Sequence, residues 1–259
     1  MTSKLLGMLA ASLWLLVATP GISAEHEGGH GDPYDWKAWK AGNVVANTAS
    51  LQRGARNYVN YCLGCHSLKY LRYERMANDL NIPDAELRRN LILTGDKPTD
   101  YMMSNFPHTD GEAFFGRAPP DLSLIARAKS PDYVYQFLKT FYVDETKPTG
   151  TNNLALDGAA MPAVLSELEG VKRAVFHEGE AAGGHVDGKR LAGFERVSTG
   201  HLSDEQFDEF VRDTVNFLDY AGEPAQLKRV HMGIWVVLFL LVFTWFAWLM
   251  KREYWKDVH

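Results

Sequence analysis

Two uncharged, largely apolar runs stand out against a chain of otherwise mixed polarity. The first, Leu5 to Ala18, follows Lys4 and leads into Pro20-Gly21-Ile22-Ser23-Ala24. A basic start, a short apolar stretch and small residues make the layout of a secretory signal cut after Ala24. The run is short for a membrane span, so residues 1–24 are expected to be removed. The second run, Gly233 to Met250, carries no charge over 18 residues. As a helix it would rise about 27 Å, close to a hydrocarbon core of about 30 Å. Lys228, Arg229 and His231 precede it, Lys251, Arg252 and Lys256 follow, and Tyr254 and Trp255 have the composition of an interfacial anchor. This pattern predicts a transmembrane helix over about 233–250, inside a juxtamembrane-to-tail segment 223–259. The basic residues at its two ends are too alike to orient it. The signal does so: residues 25 to about 230 are exported and the tail stays cytoplasmic.

Between the runs the apolar positions recur at helical spacing in four places. Leu51, Ala55, Tyr58 and Val59 form one face, ending at Tyr61-Cys62-Leu63-Gly64-Cys65-His66. Pro83-Asp84 opens a second helix with Leu87, Leu91 and Ile92 inward. Ser130-Pro131-Asp132 starts a third with Val134, Phe137, Leu138 and Phe141 on its apolar face. Ser203 and Gln206 form a capping box before Phe207, Phe210, Val211, Phe217 and Leu218, and Gly222 and Pro224 stop that helix. Thr146 to Gly200 has little periodicity; part of it suits a short hairpin whose strands the pattern does not locate. Glu25 to Pro33, with His26 and His30, reads as a solvated leader rather than a metal site. The fold class is mainly α: one domain over 25–222, with long loops, and a single C-terminal transmembrane helix.

Composition narrows this further. The 259 residues carry a formal charge of −5, and loss of Lys4 with the signal makes the mature chain −6. An acidic exported domain points away from nucleic acid and towards a basic partner. There is no internal repeat, and the chain has only two cysteines.

Those two are Cys62 and Cys65, followed by His66. Cys-x-x-Cys-His is the attachment sequence of a c-type haem: the thiols add to two vinyl groups and the histidine binds iron from one face. A thioredoxin-like redox pair needs no adjacent histidine, and a four-ligand zinc site needs more sulfur than this chain has. A methionine sulfur opposite the histidine is the common sixth ligand of an electron-transfer haem. Met76, Met102, Met103, Met161 and Met232 are the candidates. Met161 is favoured, because Gly158-Ala159-Ala160-Met161-Pro162 combines small residues with a stiffened loop. His108 and His177 are the alternatives.

Four ordered segments then resemble the cytochrome c1 family, the haem subunits of ubiquinol–cytochrome c reductase (the cytochrome bc1 complex). They are Leu51-Gln52-Arg53-Gly54-Ala55 leading into the Cys62–Ser67 motif, Lys69-Tyr70-Leu71-Arg72-Tyr73, Ala118-Pro119-Pro120-Asp121-Leu122-Ser123, and Ala160-Met161-Pro162. The resemblance implies a class I cytochrome c-like domain with one heme c, covalent through Cys62 and Cys65, and with His66 and Met161 as axial ligands. It implies that Pro119 and Pro120 pack on the porphyrin and that Arg127, Lys129 and Tyr133 face its propionates. Lys129 stands where relatives have an arginine and lacks that planar fork; solvated helix surface is the alternative for all three. With no spare cysteine, the chain cannot form the further disulfide of some relatives.

The implied function is electron relay: from a Rieske iron–sulfur protein, through this haem, to a soluble or tethered cytochrome c. Cytochrome b would be the membrane partner, in a dimeric complex of the bacterial inner membrane, with the haem domain in the periplasm. No group here need act as acid, base or nucleophile. Two other readings are a stand-alone membrane-anchored cytochrome c serving an oxidase, and a haem sensor or peroxidase with an open iron position.

Overall fold

A computed structural model describes residues 35–178, 185–186 and 189–257. The signal, its cut after Ala24 and the leader with His26 and His30 lie outside the described residues. In chain order, α1 (Thr48–Tyr61) runs into β1 (Leu68–Arg72) and α2 (Tyr73–Asp79). A short α3 (Asp84–Glu86) widens into a π-helical turn at Leu87–Leu91, and β2 (Tyr101–Met102) pairs with β1. Next come α4 (His108–Phe115), α5 (Ile125–Lys129), α6 (Pro131–Lys139), the paired β3 (Phe141–Val143) and β4 (Thr151–Asn153), and α7 (Ser166–Glu169). The chain closes with β5 (Lys172–Glu178), β6 (His185–Val186), β7 (Lys189–Arg196), α8 (Asp204–Gly222) and α9 (Gln226–Tyr254).

The centre of the domain is α1 packed on α8, with α5 and α6 also against α8. Asn47 caps α1 by accepting from the Ser50 N–H, and Leu51, Ala55, Tyr58 and Val59 are buried as their spacing predicts. Both halves of the Ser203–Gln206 capping box form, at 3.0 and 3.2 Å. The α1–α8 approach needs glycine at position 54. A Cβ there would lie 2.1 Å from the Asp213 carbonyl oxygen and 2.7 Å from Phe217 Cβ. Polar pairs fix the register of the crossing. Arg53 grips the buried Asp213 carboxylate (Nη2–Oδ1 2.9 Å), and the Asn57 amide donates to the Phe210 carbonyl at 3.2 Å.

Three elements depart from the periodic reading. Phe141 is buried, but in β3: α6 stops at Lys139, and the Asn153 amide donates to the freed Phe137 carbonyl at 2.7 Å. The aromatic and β-branched run Phe141-Tyr142-Val143 then suits a strand better than another helical turn. In the weakly patterned stretch, β5 pairs antiparallel with β7, and the register shifts between Val175 and Phe176. Such a bulge breaks the alternation that would have revealed the strands. Finally, α9 is longer than its apolar run. Its 29 residues rise about 43 Å, long enough for both interfaces as well as the hydrocarbon.

Candidate haem-attachment site

The motif occupies the end of α1. The Cys62 and Leu63 N–H groups both donate to the Tyr58 carbonyl (2.8 and 2.9 Å), and those of Cys65 and His66 to the Cys62 carbonyl (3.1 and 2.8 Å). The chain therefore continues to curl after the helix, with Leu63 fully buried beneath it and Cys65 exposed. Neither cysteine is in a disulfide. Burial, with the Cys65 charge adding to it, pushes the Cys62 thiol up to about 12, so at neutral pH it is protonated.

His66 has its ring set by a proline. Its Nδ1 lies 2.7 Å from the Pro120 carbonyl oxygen. A carbonyl can only accept, so Nδ1 carries the proton and Nε2 keeps its lone pair for a metal. Burial also lowers the His66 pKa, outweighing the opposing pull of the Pro120 carbonyl and Asp121, which favours the neutral ring that coordination requires. The main chain is held as well: the buried Tyr58 hydroxyl donates to the His66 carbonyl at 2.6 Å.

The Pro119–Ser123 segment is stitched along the motif's exit. The Asp121 carboxylate accepts from the N–H groups of Lys69 (2.9 Å) and Ser123 (3.0 Å), while the Leu122 N–H donates to the Ser67 carbonyl at 2.9 Å. On another side, Ser104 donates its hydroxyl to the Gly64 carbonyl at 2.8 Å and its N–H to Ser67 Oγ at 2.9 Å. Pro119 is wedged against α4, since a Cβ on Gly111 would come within 2.7 Å of its Cδ. The sequence reading missed Tyr58, Ser104 and Asp121 as supports, and assigned Pro120 packing rather than its carbonyl bond.

Met161 is half-buried on the loop entering α7. It lines a cavity of about 270 Å³ with Leu138, Phe141, Leu165, Glu169 and Lys172. Leu165 belongs to the main core, against which Cys62, Leu122, Tyr133 and Leu138 also pack. One apolar body thus joins the motif, the Pro119–Ser123 segment and the Met161 loop. Among the other methionines, Met76 and Met102 are fully enclosed in that core, and Met103 and Met232 are exposed. His108 starts α4 and is exposed; the His177 side chain lies outside the described residues.

The remaining expected residues sit apart from the His66 contacts. Arg127 donates to Glu223, which also takes Arg229 at the start of α9. The Lys129 ammonium lies 5.8 Å over the Tyr133 ring, and that ring stacks on Phe137 at 6.3 Å. Burial raises the Tyr133 phenol.

The donor set fits a c-type haem: two cysteine sulfurs outside any disulfide, an imidazole with Nε2 available and a thioether sulfur. Each flanking segment also carries an exposed apolar side chain beside its anchoring residue. These are Met103 next to Ser104, Leu124 next to Ser123 and Val164 next to Leu165. An apolar macrocycle is the kind of partner such surface accepts.

Fold and site together define an electron-carrier class: a mainly helical domain with one Cys-x-x-Cys-His motif and, among the described residues, one helix long and apolar enough to cross a membrane. The chain belongs to the cytochrome C1 family, whose model matches residues 42–258. It is 42% identical to cytochrome c1 of Allochromatium vinosum over 252 residues, covering 97% of this chain and 99% of that one. It is also 39% identical over 230 residues to a protein of Nitrosomonas europaea named ammonia monooxygenase gamma subunit, covering 89% of this chain and 92% of the other. A chain of a structure titled hyperthermophilic respiratory complex III aligns over 99% of this chain and 98% of its own, at 17% identity and a TM-score of 0.38. Family membership implies a haem c and a place in respiratory electron transport.

Proposed function

We propose that this chain is the electron-transfer subunit of a cytochrome bc1 complex, carrying one haem c bonded through Cys62 and Cys65, with His66 and Met161 as axial ligands. The observation that carries the reading is the His66 Nδ1 bond to the Pro120 carbonyl at 2.7 Å, which leaves Nε2 as the ring's coordinating atom. The haem supplies a one-electron centre between a reduced Rieske iron–sulfur protein and a cytochrome c. The protein's part is to orient His66, wall the site with Pro119, Pro120 and the Met161 loop, and hold it at the membrane.

Residues 1–24 serve as the export signal, the haem domain lies in the periplasm, and α9 crosses the inner membrane with the C-terminus cytoplasmic. Cytochrome b and the Rieske protein are the partners, in a dimeric complex. Arg127, Lys129 and Tyr133 remain the proposed propionate contacts, with Arg127 sharing its guanidinium with Glu223.

The test is the dithionite-reduced minus oxidised spectrum of the tagged chain, purified from gently solubilised membranes. Distinct b-type bands beside the c-type band support the complex. A c-type band alone, from a preparation in which other membrane complexes stay intact, favours a stand-alone anchored cytochrome.

A further inference from the structure

Behind the Met161 loop lies a polar contact that electron transfer itself does not call for. Met161 is followed by Pro162, Ala163, Val164 and Leu165, and then directly by α7, whose last residue is Glu169. The Glu169 carboxylate is paired with the Lys172 ammonium, and the two side chains are only 17% and 13% exposed. Lys172 also donates to the Lys139 carbonyl at 2.6 Å, at the end of α6, and lies 4.5 Å over the Phe194 ring of β7. One ammonium therefore ties α7 to α6 and to the β5–β7 hairpin.

The opposite side of α7 is pinned by main chain. The Val171 N–H donates to the Ser198 carbonyl at 3.2 Å, and the His201 and Leu202 N–H groups donate to Glu167 and Leu168, each at 3.0 Å. The approach is so close that a Cβ on Gly200 would lie 2.1 Å from the Leu168 carbonyl oxygen. Met161, Leu165, Glu169 and Lys172 line one cavity. The loop thus has a single firm abutment, and Lys172 completes its inner side.

We propose that the Glu169–Lys172 pair is a positioning device that keeps the Met161 loop closed, and so holds the methionine sulfur on the iron. This rests on Met161 being the axial ligand. A buried pair is a poor source of net stability compared with apolar packing of the same shape. Its value here is directional, since Lys172 has one place to sit between the carboxylate, the Lys139 carbonyl and the Phe194 ring. Removing one partner leaves the other buried without its counter-charge, and the local escape is for the Met161 loop to open on its inner side while the main-chain bonds of α7 hold.

The experiment uses the full-length, haem-loaded protein in detergent and compares Lys172→Met, Glu169→Gln, Lys172→Arg and Met161→Leu. The first two are expected to keep covalent haem but to bind added imidazole at least about tenfold more tightly, the factor that 1.4 kcal/mol of lost loop closure produces. Their methionine-to-iron charge-transfer band should weaken and their reduction potential fall, while Lys172→Arg stays close to the parent in all three. A pair that only stabilises the fold would lower the unfolding midpoint and leave imidazole affinity unchanged. Unchanged affinity and band in both Lys172→Met and Glu169→Gln would overturn the inference. Should Lys172→Met fail to accumulate, the isosteric Glu169→Gln decides alone. Met161→Leu separates the two questions: if it leaves the charge-transfer band intact, the ligand assignment itself is wrong and this inference goes with it.

Discussion

His66 is orientated by a backbone carbonyl rather than by a side chain, and that choice has consequences at the residue scale. Pro120 has a fixed φ and no N–H to compete for its surroundings, so its carbonyl is a stiff acceptor at 2.7 Å from Nδ1. The Asp121 carboxylate then locks the same segment by accepting two main-chain N–H groups. Asp121→Ala is expected to leave both donors without this partner. It should cost about 1–3 kcal/mol in denaturant unfolding and loosen His66, seen as a broader imidazole ligand signature in the oxidised spectrum. Met161→Leu is expected to keep the haem attached, convert the iron to high spin and lower its potential; an unchanged spectrum would contradict the ligand set. The motif was legible because the chemistry demands cysteines and histidine at fixed spacing. The Pro120 contact was not, because a carbonyl 54 residues away carries no side-chain signature.

At the scale of elements, the α1–α8 pair decides whether the domain forms. Gly54→Ala forces a Cβ to 2.1 Å from the Asp213 carbonyl oxygen. Both elements are helices that cannot give locally, so a loss of about 3 kcal/mol is expected, read as a lowered urea midpoint. Asp208 supplies a second fastening. Its carboxylate accepts from Lys139, from Tyr135 and from Arg212, joining α6 to α8. Burial alone would raise its pKa, but these donors outweigh it and hold the group at about 2. A depressed carboxylate stabilises the fold above its unfolded value, and that contribution is lost as pH falls from about 4 through the folded value of about 2. About 2 kcal/mol should disappear over that window. Asp208→Asn should remove it at neutral pH and flatten the acid limb of the stability profile. Capping and spacing announced α1, α6 and α8 in advance, because a helix writes its buried face at a fixed period. The β5–β7 hairpin did not announce itself, since the shift at Val175/Phe176 disturbs a period that is only two residues long.

For the whole molecule, α5, which follows the Pro119–Ser123 segment, meets the head of α9 at one corner. Gly222 closes α8 against Arg127, a Cβ there lying 3.1 Å from Arg127 Cγ. Glu223 then joins Arg127 to Arg229 at the head of α9. Apart from Leu227, which packs on the core, α9 adds little to the domain; its apolar side chains from Ile234 to Phe246 stand about half or more exposed. A chain ending at Pro224 is therefore expected to keep covalent haem, move to the aqueous phase on detergent phase separation, and lose no more than about 1 kcal/mol of stability. Retention in the detergent phase would mean that another surface holds the membrane. The most direct test of the whole account is mass analysis of the acid-denatured, alkylated protein. The account predicts that one haem stays bound to the peptide holding Cys62 and Cys65, with neither sulfur alkylated. Two freely alkylated cysteines and a haem lost on denaturation would contradict it.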